Sequence, residues 1–588
     1  MRRGASPWLR AAVAALTLGA PAAAQDGGAG LGGPGAVALP SGLETRVIER
    51  VEVNATGSTG DAARDAAILA EARAQVGLRA GARLDIPALD AAKLRLEALE
   101  GVAEASPGLL PAGDPNRARL AITLRLAPTE GRGGPRGMLA GDGPGAFPIL
   151  WRDADSLLRV QFNGGVGVFS DANPWFGRAP AFTTGNPLVE DPARGARTGS
   201  NATWAEGYVE FGLSGVTRLG ASNFAVYGAA TAVAPASVGR DIFRSDARAT
   251  FDVEKLYAGL LWGSDDRARS LNLSAGRQNF TLNDGFLVAQ YGAQWNAGPR
   301  PGIYLAPRTA HDFSVIGVGK LDGWTATAFL LDPNEYEPLE SDTQLAGVNL
   351  RRDLDDRHTV DGTVLHVPQS NTRYGAPGGS PGTREGLWTF AAHARRGAPA
   401  EGPGFWAEGE LAHQRHDRFA MNAWAGYATL GWFARNLPWT PSLSYRFSHF
   451  TGDDPATATY ERFDPLYTGG LSHWLQGITI NKALSAANRS THRIRFNVTP
   501  DPALNLTLDW FLHLADERNN FGGNPALATL ADDDLGQEFQ FVARWAISPR
   551  LYFVGVASAA LPGEAIRVAA GGRADPWVSL QGQLYWSF

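Results

Sequence analysis

From about residue 149 to the end of the chain, apolar and polar positions alternate. Leu158, Val160, Phe162, Val166 and Val168 interleave with Arg159, Gln161 and Asn163. Val209, Phe211 and Leu213 interleave with Tyr208, Glu210 and Gly212, and Trp324, Ala326, Ala328 and Leu330 follow an Asp322-Gly323 turn. Further rows run through Trp424, Gly426, Ala428, Leu430 and Trp432, through Leu504 to Leu512, and through Phe539 to Ile547. Successive side chains of a strand point to opposite faces, so period two predicts strands with one apolar and one polar face. The rows are about nine to eleven residues long, which is what a tilted strand needs to cross a bilayer. Polar breaks at 171–203, 283–311, 350–384, 451–490 and 515–536 alternate with short connections such as Ser548-Pro549, which places the long loops on one side. The expectation is an all-β transmembrane antiparallel barrel of roughly 16 to 18 strands over 149–588, even-numbered as single-chain bacterial barrels are.

The N-terminal quarter has a different texture. Arg2, Arg3 and Arg10, an apolar run from Ala11 to Ala20, and Ala22-Ala23-Ala24 predict a cleaved export signal over 1–24. Residues 25–44 read as a flexible Gly/Ala/Pro leader. Val47, Ile48, Val51 and Val53 predict a strand, and Asp61 to Val76 a helix stopped by Gly77. Pro87 opens a second helix ended by Gly101, and strands follow near Val102–Ser106 and Leu120–Leu126. A small β-α-α-β-β domain of the α+β class is therefore expected over 45–127, with a Gly/Pro linker at 128–148. This order, with its Val-Glu-Val-Asn strand, its Leu-Arg-Leu-Glu-Ala-Leu helix and Gly101-Val102, resembles a POTRA domain. The resemblance implies a periplasmic module and a periplasmic partner for it.

Composition narrows the class. No stretch approaches 18 consecutive apolar residues, yet the chain has 17 Trp, 13 Tyr and 71 Gly with only 19% charged residues. Trp and Tyr suit the interface girdles of a barrel embedded in lipid, and Gly suits its turns. The formal charge of −6 becomes −9 once the three signal arginines are removed, which names no partner. There is no basic arm or nucleic-acid motif, no Gly-x-Ser-x-Gly, no P-loop and no His-Glu-x-x-His, so neither an enzyme nor a cofactor is expected. His413, His416 and Asp417, and the run Asp532-Asp533-Asp534, read as solvated loop charges rather than metal sites.

The last row, Val578, Leu580, Gly582, Leu584, Trp586 and Phe588, ends on an aromatic residue. With Leu584 and Trp586, the terminal Phe588 resembles the signal read by the outer-membrane insertion machinery. Three further segments occur in order: Gly276-Arg277-Gln278-Asn279-Phe280 leading to Asn283-Asp284-Gly285, Arg462-Phe463-Asp464-Pro465-Leu466-Tyr467, and Asp534-Leu535-Gly536-Gln537-Glu538 followed by Leu561-Pro562-Gly563. Together they resemble the alginate-export outer-membrane porin family. That resemblance implies an 18-stranded barrel whose Arg-lined pore passes an anionic polysaccharide. The N-terminal module and the acidic net charge depart from the family pattern. The POTRA likeness brings in protein-translocating and assembly barrels as an alternative, but their Val-Arg-Gly-Tyr/Phe motif is missing here.

Strand parity selects the candidate chemistry. With the apolar rows outward, Arg159, Glu210, Glu408, Glu410, Arg446, Arg493, Arg495, Asp509, His513 and Arg544 face the lumen. Arginine suits sugar carboxylates because its planar fork donates two hydrogen bonds and stays charged at any working pH. Interleaved carboxylates keep an anion from binding too tightly to leave. The competing reading is that such arginines only brace the wall by pairing with Asp and Glu. Arg277 falls on the apolar parity and ranks lower. The expected cargo is an anionic polysaccharide or small acidic solute. A general or structural porin is a further alternative.

Overall fold

The computed structural model describes residues 47–587 apart from interior stretches, the longest being 128–137, 140–148 and 176–200. The expected signal and leader, most of the 128–148 linker, and Phe588 lie outside the described residues.

Alternation carries through to a closed wall. Among the described residues, eighteen strands from Ser156–Ala172 to Trp577–Ser587 pair antiparallel in chain order. The last strand then closes onto the first, with Val578 opposite Ala172 and Ser587 opposite Asn163. Closure leaves no unpaired edge, the condition for backbone polar groups to sit in lipid. Outward positions stay apolar and exposed: Ile494 and Phe496 are 43% and 45% accessible, whereas Arg493 and Arg495, which alternate with them, are 5% and 7%. Leu584 and Trp586 stand on the closing strand, with Trp586 facing Gly164 across the seam.

Two expectations about the wall need correction. The first is strand length, which runs from nine residues (Arg269–Arg277) to eighteen (Asn201–Arg218). The longest strands continue past the membrane width at the long-loop end, where Phe169 and Trp204 pack against loops. The second is the single break at 350–384. It contains the strand His358–Gln369 and the end of Gln344–Asp353. The outward row Val360, Gly362 and Val364 is interrupted by a glycine and the inward row Thr359, Asp361 and Thr363 is polar, so neither face reads as apolar. Elsewhere the short connections are tight. At Asp322-Gly323 both residues have positive φ (47° and 84°), the conformation of a two-residue hairpin turn whose twist matches the strands it joins.

The N-terminal module has its own core. Its strands Val47–Gly57, Val102–Pro111 and Arg117–Leu126 form a sheet in which the last is central, parallel to the first and antiparallel to the second. The helix Ala62–Gln75 is capped by Asp61, whose carboxylate accepts from the Ala63 and Arg64 amides. The described residues between 89 and 97 are helical. Ile48, Ile68, Ala72, Leu96, Leu120 and Leu124 are among the residues that pack between sheet and helices.

Candidate functional site in the barrel lumen

The inner wall holds the charged side chains. Arg159, Glu210, Glu408, Glu410, Arg446, Arg493, Arg495, Asp509, His513 and Arg544 are all buried there. The densest group spans four neighbouring strands. Arg446 and Arg493 are direct cross-strand partners, and Arg495 stands opposite Asp509 on the next strand. The Arg495 fork donates to both Asp509 oxygens at 2.7 and 3.0 Å. Arg446 instead donates to the Thr429 hydroxyl at 2.7 Å, and its guanidinium lies 4.8 Å from the Tyr427 ring centre and 4.3 Å from that of Trp474. Arg544 donates to Thr507, and Arg159 to Ser214. Glu210 accepts from Thr231 and sits 3.3 Å from Lys255, while His513 meets the Thr491 hydroxyl through Nδ1. Arg277 keeps the parity of Leu271 and Leu273. It pairs with Asp312 and donates to the Val253 carbonyl at the long-loop end of the barrel.

Two long loops fold into the barrel, each held by a wall carboxylate. Glu206 accepts hydrogen bonds from the consecutive amides of Ile303, Tyr304 and Leu305 at 2.7–2.9 Å, and from the Trp204 indole. Glu538 does the same for Ile478, Thr479 and Ile480. A negative charge facing successive N–H groups satisfies donors that would otherwise be buried unpaired. Lys482, two residues further on, reaches both oxygens of Asp171 at 2.8 Å. The position of Glu538 depends on Gly536. With φ of 123° and a Cβ that would lie 2.3 Å from the Leu561 carbonyl oxygen, only glycine fits. The ladder slips by one residue there, between His513 and Leu514. Neither Glu206 nor Glu538 was chosen from the sequence, although each shares the inward parity of its neighbours Glu210 and Gln540.

The Arg462-Phe463-Asp464-Pro465 segment is part of the packing of these loops. Asp464 accepts two bonds from Arg384 (2.7 and 2.9 Å) and one from Tyr374, and its backbone is bracketed by Gln414. Burial works against the Arg384 charge, but Asp464 beside it prevails and holds its pKa above the ordinary value. Arg462 donates to Asn520, and Phe463 is buried against Phe450. His311, at the end of the other inward loop, is buried enough that its pKa falls to about 4, which keeps it neutral. His413 stacks on Trp424 and His416 on Phe419, and Asp532 accepts from the Asp534 amide.

A further network lies toward the short-turn end. Arg117 of the N-terminal module reaches into the barrel and donates to both oxygens of Glu408 at 2.7 and 2.8 Å. Glu408 lies 3.4 Å from His393 Nε2, and His393 Nδ1 lies 2.7 Å from Asp361. Asp361 in turn accepts from Asn283 of the inward loop, and the neighbouring Asp284 accepts from Tyr427. Glu410 stands opposite His393 on the adjacent strand. Arg117 and Glu408 are 291 residues apart in the chain, so no local pattern announces the pair.

Among solved structures, the chain is similar to Acinetobacter baumannii OccAB2 (9% identity, 73% of this chain and 98% of that one, TM-score 0.45). It is also similar to Pseudomonas aeruginosa OpdL (9%, 73% and 98%, TM-score 0.43) and to the outer membrane protein OprD from the same organism (9%, 73% and 94%, TM-score 0.41). No curated protein matches the chain. The model of the alginate export family matches residues 235–577, more than half of the sequence and most of the barrel. With its closed eighteen-strand wall and polar lumen, the chain belongs to the alginate export family and is an outer-membrane channel.

Proposed function

We propose that the lumen passes an anionic polysaccharide or another acidic saccharide, without chemistry of its own. The observation that carries this reading is the direct opposition of Arg446 and Arg493 on the lumen face, beside Arg495, which Asp509 engages. Each guanidinium presents a planar fork suited to a carboxylate, and an anion crossing the lumen would pass both. Arg159 and Arg544 extend the positive lining, and Glu408, Glu410 and Asp509 interrupt it so that a bound carboxylate can leave. The overall acidic charge is no obstacle, because within a low-dielectric wall the local field governs. In this reading the signal at 1–24 directs export, Leu584, Trp586 and Phe588 are read by the insertion machinery, and the short turns face the periplasm together with the 45–127 module, available there to a partner.

Reversal potentials in planar bilayers under a salt gradient test the lining. The wild-type channel should prefer anions, and Arg493→Ala with Arg495→Ala should reduce that preference by several-fold. Cation selectivity that the double variant leaves unchanged would sink the proposal.

A further inference from the structure

The N-terminal module meets the barrel at its short-turn mouth. Beyond Arg117 on Glu408, Arg119 donates to the Pro502 carbonyl at 2.8 Å in the turn after strand Arg489–Asp501. The module's strand Val102–Pro111 touches the wall strand Asp534–Ser548. These contacts fall on the sector that carries Arg493, Arg495 and Arg544. The module's apolar cluster contains only its own residues, from Ile48 to Leu126, and none from the barrel. Among the described residues the module shares no apolar core with the wall, so leaving the mouth would not open its own interior.

We infer that residues 47–126 are a plug for the short-turn mouth, latched by Arg117 on Glu408. The latch is wired to a loop that enters from the opposite end of the lumen. Glu408 adjoins His393, His393 adjoins Asp361, and Asp361 holds Asn283 of the inward loop. Withdrawal of Arg117 leaves Glu408 between its cross-strand partner Arg395 and His393, and so alters the charge balance that reaches Asp361; plug and loop respond to a common group of side chains. This inference does not depend on which solute passes, because opening of the mouth is read with small ions.

The test is the conductance of the full chain in planar bilayers in potassium chloride. A buried pair broken on one side leaves a charge without its partner. Arg117→Ala and Glu408→Gln should therefore each raise the mean conductance several-fold, whereas Arg117→Lys, which keeps a cation facing Glu408, should stay closer to wild type. The chain contains no cysteine, so Arg119→Cys with Pro502→Cys supplies the only two thiols. Joined by a short reducible bifunctional thiol reagent, this protein should conduct well below its unlinked form and recover on reduction. A linked protein that conducts like the unlinked one overturns the plug, whatever the charge variants do. Loss of anion preference in the arginine variants with the linkage effect intact would count against the proposed cargo and leave the plug standing.

Discussion

Glu206 and Glu538 each face three consecutive backbone amides of a loop folded into the barrel. Arg446 and Arg493 face each other across one strand pair, with Arg446 held by a neutral hydroxyl and two aromatic rings. All four are inward charges on the same kind of strand, and all four are buried. The difference lies in what meets them. A carboxylate facing a row of fixed N–H groups is fully occupied by the protein and acts as an anchor. The Arg446 guanidinium is instead engaged through neutral groups, the Thr429 hydroxyl and the rings of Tyr427 and Trp474. Inward position alone does not separate a brace from a solute contact; the partner does.

The strongest way to break this contrast is at the anchors. Glu538→Gln weakens the bonds to Ile478, Thr479 and Ile480 by about 2 kcal/mol, on the order of 30-fold faster exchange of those amides, since hydrogen bonds to charged groups are the costlier ones to lose. Hydrogen-exchange mass spectrometry of the segment checks it, and unchanged protection would mean that Glu538 is not the anchor. Glu206→Gln should act likewise on Ile303 to Leu305. A smaller effect is expected from Arg446→Ala, which removes a cation–π contact worth about 0.5–2 kcal/mol. It should lower the anion preference while leaving exchange at 478–480 as in the wild type; accelerated exchange there would make Arg446 another anchor. The smallest effect belongs to an exposed pair outside the lumen. Arg218 and Asp155 are 52% and 43% accessible, and Arg218→Ala should change unfolding stability by less than about 1 kcal/mol and selectivity not at all.

How much of this was legible in advance differs by residue. Arg493 and Arg495 stand out in the chain because they alternate with Ile494 and Phe496, and their burial follows from that alternation. The strand His358–Gln369 was missed because a glycine interrupts its outward row and no apolar face remains to be seen. The Arg462 to Pro465 segment was visible as a motif, yet its partners Arg384, Tyr374 and Asn520 come from loops 58 to 90 residues away. Gly536 was noticed within a motif, but the need for it comes from the Leu561 carbonyl on the neighbouring strand.

The amino-acid sequence by itself determined the barrel class and the two faces of its wall. Period two forces each side chain to lipid or to lumen once a strand forms, and the even strand count with short and long connections follows from closing such strands in a membrane. The tertiary structure alone decided which inward charges are neutralised, which loops enter the lumen, and that the N-terminal module is seated on Glu408. Those outcomes rest on contacts between segments tens to hundreds of residues apart, whose geometry is set only when the wall closes and brings them within hydrogen-bonding distance.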